Sequence, residues 1–363
     1  GVLLDDQGQW LVGADGFSEE HDSDIDNPNN PMFFVVNFNR AQRRILGLFA
    51  ERQQELGNDV SAEFGLRLTR VDMDAGEVNA TPAMMMPPAM MLRESFNNAD
   101  RKKTDNNVDA VVKLRYKGSD ILSYTLALGR KNRAASYQER YLWLPMQSTG
   151  GLADGFTYTG NIGLDSEVAH EIELGLDFNG SNFTLSPRLF YRDVKDYIQG
   201  TPSSNTSAVM LVRMMNMMND TNNPDPLEFN NVDASLWGFD MDWAWRLDSN
   251  WSFSGLVNYV RGKREDIGDD LYRIAPPNAT VGLNYDQSTW SARIESVLYS
   301  KQDHVSQTNA ERQTAGYGIV NLSASWQATS ALQLAAGVEN LLDKEYDNHI
   351  GGYNRVRNSD IAV

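Results

Sequence analysis

The stretch EVAHEIELGLDFNGSNFTLSPRLFYR, residues 167–192, alternates, turns once and alternates again. In 167–178 one face reads Val168, His170, Ile172, Leu174, Leu176, Phe178, and the other Glu167, Ala169, Glu171, Glu173, Gly175, Asp177. Asn179-Gly180-Ser181 are turn formers. Beyond them Phe183, Leu185, Pro187, Leu189 and Tyr191 oppose Thr184, Ser186, Arg188 and Arg192, with Phe190 as the exception. A period of two over such lengths means strands with one apolar and one polar face, and a three-residue turn between them means an antiparallel hairpin.

The pattern recurs in both directions. In LWGFDMDWAWR, residues 236–246, Trp237, Phe239, Met241, Trp243 and Trp245 alternate with Gly238, Asp240, Asp242, Ala244 and Arg246. Twelve strands read as six hairpins: 43–56 with 59–72, 109–117 with 121–130, 167–178 with 182–198, 236–246 with 250–263, 278–286 with 289–303, and 317–326 with 331–342. Several reach ten residues or more; soluble strands average about five or six, whereas a tilted membrane-spanning strand needs about nine to eleven. Turns inside hairpins are short, as in Asp248-Ser249-Asn250 and Lys117-Gly118-Ser119-Asp120. Connections between hairpins are long: 73–108, 131–166, 199–235, 264–277 and 304–316.

This sorting predicts an all-β, antiparallel transmembrane β-barrel with short periplasmic turns and long extracellular loops. A soluble β-sandwich would share the alternation but has no reason to sort its loops by length; a passive porin-like barrel shares both features. Aromatics near strand ends, Trp237, Trp245, Trp251, Tyr259, Trp290, Tyr299, Tyr317 and Trp326, suit membrane interfaces. His170, on the apolar face near a strand end, suits the same place, and Asp240 with Asp242 suits a wet inner wall.

Composition excludes other classes. The 363 residues carry a formal charge of −17 and a mean hydropathy of −0.47. No run approaches the roughly 18 apolar residues of a spanning helix. With no cysteine there is neither a disulfide framework nor a thiolate metal site. The acidic balance argues against a nucleic-acid partner. No phosphate loop, Gly-x-Ser-x-Gly or His-Glu-x-x-His is present, so no enzyme is expected. The first residue, Gly1, leaves a removed leader or a fragment of a longer chain as the two readings.

Four segments carry a family resemblance. GVENLLDKEY (337–346) looks like the Asn-Leu-Leu/Phe-Asp-Lys-x-Tyr ending of TonB-dependent outer-membrane receptors. SEVAHEIELGL (166–176), LFYRDVKDYIQ (189–199) and FNNVDASLWGFDM (229–241) are similar to three of that family's strand motifs, with Asp240 where the family usually has Glu. They stand in the family's order and cover roughly residues 160–350. The resemblance implies a Gram-negative outer-membrane location, a barrel of about 22 strands around a plug, contact with membrane lipid, and uptake of a scarce nutrient driven through the TonB complex. Residues 1–363 are then expected to be the C-terminal part of the barrel, with strands from 43 to 342. Plug, TonB-contacting segment and final strand would lie outside this chain.

The methionines bear on the cargo. AMMMPPAMM, residues 83–91, holds Met84, Met85, Met86, Met90 and Met91; MLVRMMNMMND, residues 210–220, holds Met210, Met214, Met215, Met217 and Met218. Ten of fourteen methionines thus fall in two predicted outer loops. Thioethers are soft, neutral donors suited to copper, above all Cu(I); the alternative is that they pack loops as adaptable filler. The Met-rich loops and the ending at 349–356 resemble the copper-receptor branch of the family. Copper, as transported substrate and not as cofactor, is therefore the leading cargo, an iron–siderophore complex the next, and an apolar organic ligand a third. His304 and His349 are the histidines expected to complete a soft site. The run Glu19-Glu20-His21-Asp22-Ser23-Asp24-Ile25-Asp26 reads as a solvated acidic loop in preference to a calcium site.

Overall fold

The computed structural model describes residues 1–5, 8–149, 152 and 154–351. Sequence readings on residues 352–356 and 361–363 lie outside the described residues. Fifteen strands form one sheet. They are β1 (Val2–Asp5), β2 (Gly8–Asn27), β3 (Asn30–Glu55), β4 (Val60–Asp74), β5 (Lys103–Lys117), β6 (Leu122–Arg133), β7 (Tyr158–Thr159) and β8 (Glu167–Asn179), then β9 (Phe183–Pro202), β10 (Leu227–Arg246), β11 (Trp251–Arg264), β12 (Asn278–Asp286), β13 (Trp290–Tyr299), β14 (Tyr317–Thr329) and β15 (Leu332–Val338). Fourteen of them pair in chain order, every pair antiparallel; β7 lies off that path, parallel to β10. Four helices sit in the long connections: α1 (Pro82–Met85), α2 (Pro87–Asn98), α3 (Tyr137–Tyr141) and α4 (Thr206–Asn219). No described helix is long and apolar enough to cross a membrane.

Register shows what the alternation is for. Val112, Leu128, Ile172, Tyr191 and Trp237 follow one another across five strands on one face. Phe253, Leu283, Ile294, Leu322 and Val338 do the same farther round. These side chains point out of the sheet and many stay about half exposed, Leu174 and Leu189 among them. An apolar face that wide on a single continuous sheet has no second sheet to cover it, which removes the sandwich; in water it would be an aggregation surface, and lipid is the solvent it fits. The opposite face carries ion pairs between strands: Arg67 with Asp15 (2.7 Å), Arg188 with Asp177 (2.6 Å) and Arg192 with Glu171 (2.8 Å). Phe190, the exception in the alternation, points to this face and lies over Gly238, where a Cβ would collide with its ring.

The aromatic girdles are real but not complete as expected. Trp237, Trp245, Trp251, Tyr259, Trp290 and Trp326 lie on the apolar face by register. Tyr299 and Tyr317 lie on the other face, paired with each other and stacked, with Tyr346 stacked on Tyr317. From Trp251 to Tyr259 the strand climbs about 27 Å, or about 20 Å along the membrane normal at a tilt near 40°. That is close to the height of an outer-membrane apolar band.

Three expectations need correction. First, β1 and β2 were not foreseen, and β3 begins at Asn30 instead of residue 43. Second, the first three long connections are narrower than read, because β4, β5, β6, β9 and β10 run past their alternating parts. Third, the acidic run is not a loop but part of β2, held against β3 by Glu19 with Arg43 (3.6 Å), Glu20 with Gln42 (2.6 Å) and Asp22 accepting from the Arg40 amide (2.6 Å). The strand extensions share a reason: beyond the lipid band one face packs on the cap formed by the long connections and neither meets lipid, so the lipid-facing period of two ends while the hydrogen-bond ladder continues. β1 and the first half of β2, which pairs with residues 45–54, are outside that reason.

Candidate functional site

The connections after β4, β6 and β9 fold together into a cap over the prolonged β2–β3 hairpin. Their shared core includes Val35, Phe38, Val78, Leu92, Phe96, Tyr141, Trp143, Leu144, Leu211 and Phe229. Polar anchors fix the loops to the strands. Trp143 Nε1 donates to the Val36 carbonyl (3.1 Å), and Tyr141 Oη to that of Arg101 (2.8 Å). Asn97 exchanges hydrogen bonds with the backbone of Val78 (2.9 and 3.0 Å). Arg101 caps the end of α2 through the carbonyls of Phe96 and Asn97 (2.9 and 2.5 Å). Arg140, fully buried, pairs with Asp105 (2.8 Å). The helix α3 beneath is closed by a capping box of Ser136 and Glu139.

The two Met-rich stretches are helices in this cap. Within AMMMPPAMM the paired prolines split the run. A residue before proline avoids the α region, so Met86 is extended at φ −118°, α1 stops at Met85, and α2 restarts on Pro87 and Pro88, where a missing N–H costs nothing. In α4, Asn205 caps the start by accepting from the amides of Ser207 (3.0 Å) and Ala208 (3.3 Å), and Asp220 ends it in the left-handed region. The apolar face of α2 buries Pro88, Ala89, Leu92 and Phe96; that of α4 buries Ala208, Leu211 and Val212. The helices pack on one another, and Ser207 Oγ donates a weak bond to Met91 Sδ (3.8 Å).

The methionines divide by function of place. Met86 and Met215 pack against the core, and Met214 is half-buried. Met84, Met85, Met90, Met91, Met210, Met217 and Met218 are exposed, Met85 at 76% and Met217 at 79%. In α4, Met210, Met214, Met217 and Met218 fall at i, i+4, i+7 and i+8, one helical face turned from the core. Cationic repulsion there is muted. Arg213 is held bidentate by Asp225 (2.8 and 2.6 Å), which keeps that carboxyl below the usual carboxylate range; Arg93 lies 3.8 Å from Glu94. What faces outward is a cluster of soft, neutral donors beside internally compensated charges.

The two histidines sit elsewhere in the fold. His349, buried, has both ring nitrogens engaged: Nδ1 lies 3.1 Å from Thr314 Oγ1, and Nε2 lies 3.1 Å from Glu311 Oε1. A metal there would have to displace one of them. His304 is half exposed between Asp270 and Asp303, each at 3.8 Å. The structure thus brings Met91 and α4 together and gives both histidines partners of their own in other loops. Among the described residues no group of three or more His, Asp or Glu side chains could hold a metal ion. The supporting residues Trp143, Arg101 and Asn205 were not foreseen. Of these only Asn205 had a local signal, an N-cap residue ahead of Thr-Ser-Ala.

The sequence model of the family described as "TonB dependent receptor-like, beta-barrel" matches residues 2–341. Among curated relatives, heme/hemopexin utilization protein C of Haemophilus influenzae is 25% identical over 267 residues, 68% of this chain and 35% of that protein. The ferric enterobactin receptor PirA of Pseudomonas aeruginosa is 26% identical over 210 residues, 55% of this chain and 26% of that protein. Among solved structures, the copper transporter OprC superposes with a TM-score of 0.74 at 20% identity, covering 96% of this chain and 52% of that one. The FrpB iron transporter of Neisseria meningitidis gives 0.64 at 13% identity, with 96% and 50% covered. The chain spans about a third or less of the curated relatives and about half of the solved ones. Identities this low carry the fold and nothing about cargo.

Proposed function

The chain belongs to the TonB-dependent receptor β-barrel family, whose members are transport receptors of the Gram-negative outer membrane, and from that premise we propose that it forms the C-terminal part of a receptor importing a soft metal ion, copper as Cu(I). The observation that carries this reading is the seven exposed methionines on α1, α2 and α4. Filler methionines bury their thioethers; these leave them in solvent on helices whose core-facing positions are already filled. Thioethers bind Cu(I) without losing a proton and hold hard cations poorly. His304 and His349 belong to the proposal as secondary donors that would have to be released from their present partners. Energy would come through TonB by a segment outside this chain, which sets the reading apart from a passive pore.

The second reading, a ferric chelate, is favoured by the names of the two curated relatives, one for heme and one for ferric enterobactin. One experiment separates the two. The full-length receptor and a variant with all ten clustered methionines changed to leucine are titrated with Cu(I) under reducing conditions, and with ferric enterobactin and heme. Tight Cu(I) binding that disappears in the variant supports copper. Cu(I) binding that survives the change, or chelate binding without Cu(I) binding, overturns it.

A further inference from the structure

The seven exposed methionines of α1, α2 and α4, together with Met32 on β3, 81% exposed and outside the cluster, are also the ones that a dissolved oxidant meets first. Met73, in contrast, is 1% exposed in the cap core, and Met86 is packed against it. Oxidation of methionine needs no general base and no lowered pKa, only an approach to sulfur, so accessibility sets the order of reaction. With hydrogen peroxide, the sulfur attacks one peroxide oxygen; an S–O bond forms as the O–O bond breaks, sulfur loses two electrons, and the departing hydroxide takes up the proton to leave water. Thioether plus peroxide becomes sulfoxide plus water, and no further reactant is needed.

We propose that the exposed methionine face of α1, α2 and α4 is an oxidation-sensitive switch: peroxide converts its thioethers to sulfoxides and turns off soft-metal capture. The proposal rests on the copper reading above and adds a regulation to the same site. Sulfoxide formation replaces a soft sulfur donor by a hard oxygen, which Cu(I) disfavours. It also acts on the one described contact made by a clustered sulfur across the helices. The Ser207 hydroxyl, 3.8 Å from Met91 Sδ, gains a strong oxygen acceptor in place of a weak sulfur one, tightening α2 against α4. Metal and oxidant further exclude each other, because a coordinated sulfur has donated the electron density that attacks peroxide. Bound metal therefore protects the face, and an empty face is the one that is silenced.

The test uses the full-length receptor in detergent with Ag(I), a soft ion of fixed charge, as probe. Graded hydrogen peroxide is added with or without saturating Ag(I), and each methionine is followed by peptide mass spectrometry as a gain of about 16 Da. Met85, Met91, Met217 and Met218 are expected to oxidise roughly tenfold faster than Met73, and Ag(I) is expected to slow them. Ag(I) affinity should fall by roughly tenfold or more after oxidation and return after treatment with a methionine sulfoxide reductase and its reductant. Unchanged Ag(I) affinity after complete oxidation of the face overturns the switch, as does oxidation of bound and empty protein at equal rates. An untreated receptor that binds no Ag(I) overturns the copper reading itself, and the switch with it. Replacing these seven methionines by leucine, with Met32 retained, is expected to leave a folded barrel that has lost Ag(I) binding with or without peroxide; Ag(I) binding that survives the change overturns the site and the switch with it.

Discussion

Replacing Ile294 by arginine tests whether the apolar face meets lipid. Ile294 is half exposed on β13, with Leu283 across one ladder and Leu322 across the other. It lies four residues from Trp290, which pairs with Trp326 at the turn-side girdle. Four residues are about 13 Å along a strand and about 10 Å along the normal at a tilt near 40°. That is half the girdle-to-girdle height, so Ile294 is near the midplane, where arginine on the lipid face of a barrel costs about 2–4 kcal/mol. The folding equilibrium should therefore move by roughly 30- to 800-fold. The control is Asn258→Arg on the opposite face, directly across from Asp240, where an opposite-charge pair forms in a wet lumen and the change should stay within about 1 kcal/mol. The assay is urea-dependent folding of the full-length receptor into lipid vesicles, read by heat-modifiable gel mobility. If Ile294→Arg stays within about 0.5 kcal/mol of the parent, as a solvated surface position would, the lipid assignment is wrong. Equal costs for the two arginines would refute the sidedness.

Other positions make separate claims. Gly238→Ala pushes a methyl group into the Phe190 ring on the lumen wall and should cost about 1–3 kcal/mol by the same folding assay, while Phe190→Ala in the same chain should relieve part of it. Among the described residues, His349→Ala leaves the buried Glu311 with the amides of Arg273 and Ser306 as its donors; a local loss of about 1–3 kcal/mol should appear as faster hydrogen exchange across residues 304–316. Asp269 accepts from the amides of Gln307 and Thr308 and the hydroxyl of Ser306 (2.9, 2.9 and 3.1 Å). Burial pushes its carboxyl upward, but these bonds outweigh it and hold the pKa below the usual value. A depressed folded pKa gives stability that is full above the unfolded value near 3.9 and is lost as pH falls through the folded one. Hydrogen exchange at 306–308, corrected for its intrinsic pH dependence, should thus accelerate below about pH 4, and Asp269→Asn should abolish that dependence.

How far the sequence could be read depends on where the membrane is. Inside the apolar band water on one side and lipid on the other force residues such as Ile172 and Glu171 apart; all twelve foreseen strands are there, while β2, whose first half pairs with residues 45–54 in the same band, was passed over. Outside the band the signal fails for a physical reason. Residues Ser18–Asp26 of β2 and Lys103–Asn107 of β5 have one face turned to the cap, with His21 stacked on Tyr137 and Ile25 against the core, so lipid-facing alternation ends while backbone pairing with β3 and β4 persists. Proline and cap chemistry at Thr81-Pro82 and Asn205 marked helix starts that a reading by alternation alone passed over. The methionine clusters could be located by composition, whereas their division into packed and exposed members needed the tertiary core, because Met85 and Met86 are adjacent and differ only in that Met85 ends α1 while Met86 is the extended residue before Pro87.

That division also decides between the two uses of methionine on the page. A flexible thioether is valuable as filler because it conforms to irregular gaps, and Met86 and Met215 are used so. The same flexibility on an exposed face has nothing to fill. Seven exposed apolar side chains on three short helices lose rotamer freedom only if something orders them, and in water each adds apolar surface that leucine would add equally well. A methionine face above a core closed by Leu92, Phe96, Leu211 and Trp143 is therefore not explained by core packing. The cap is tied to β3 through Trp143, and Arg101 closes the end of α2, so the methionine-bearing helices are held against the strands.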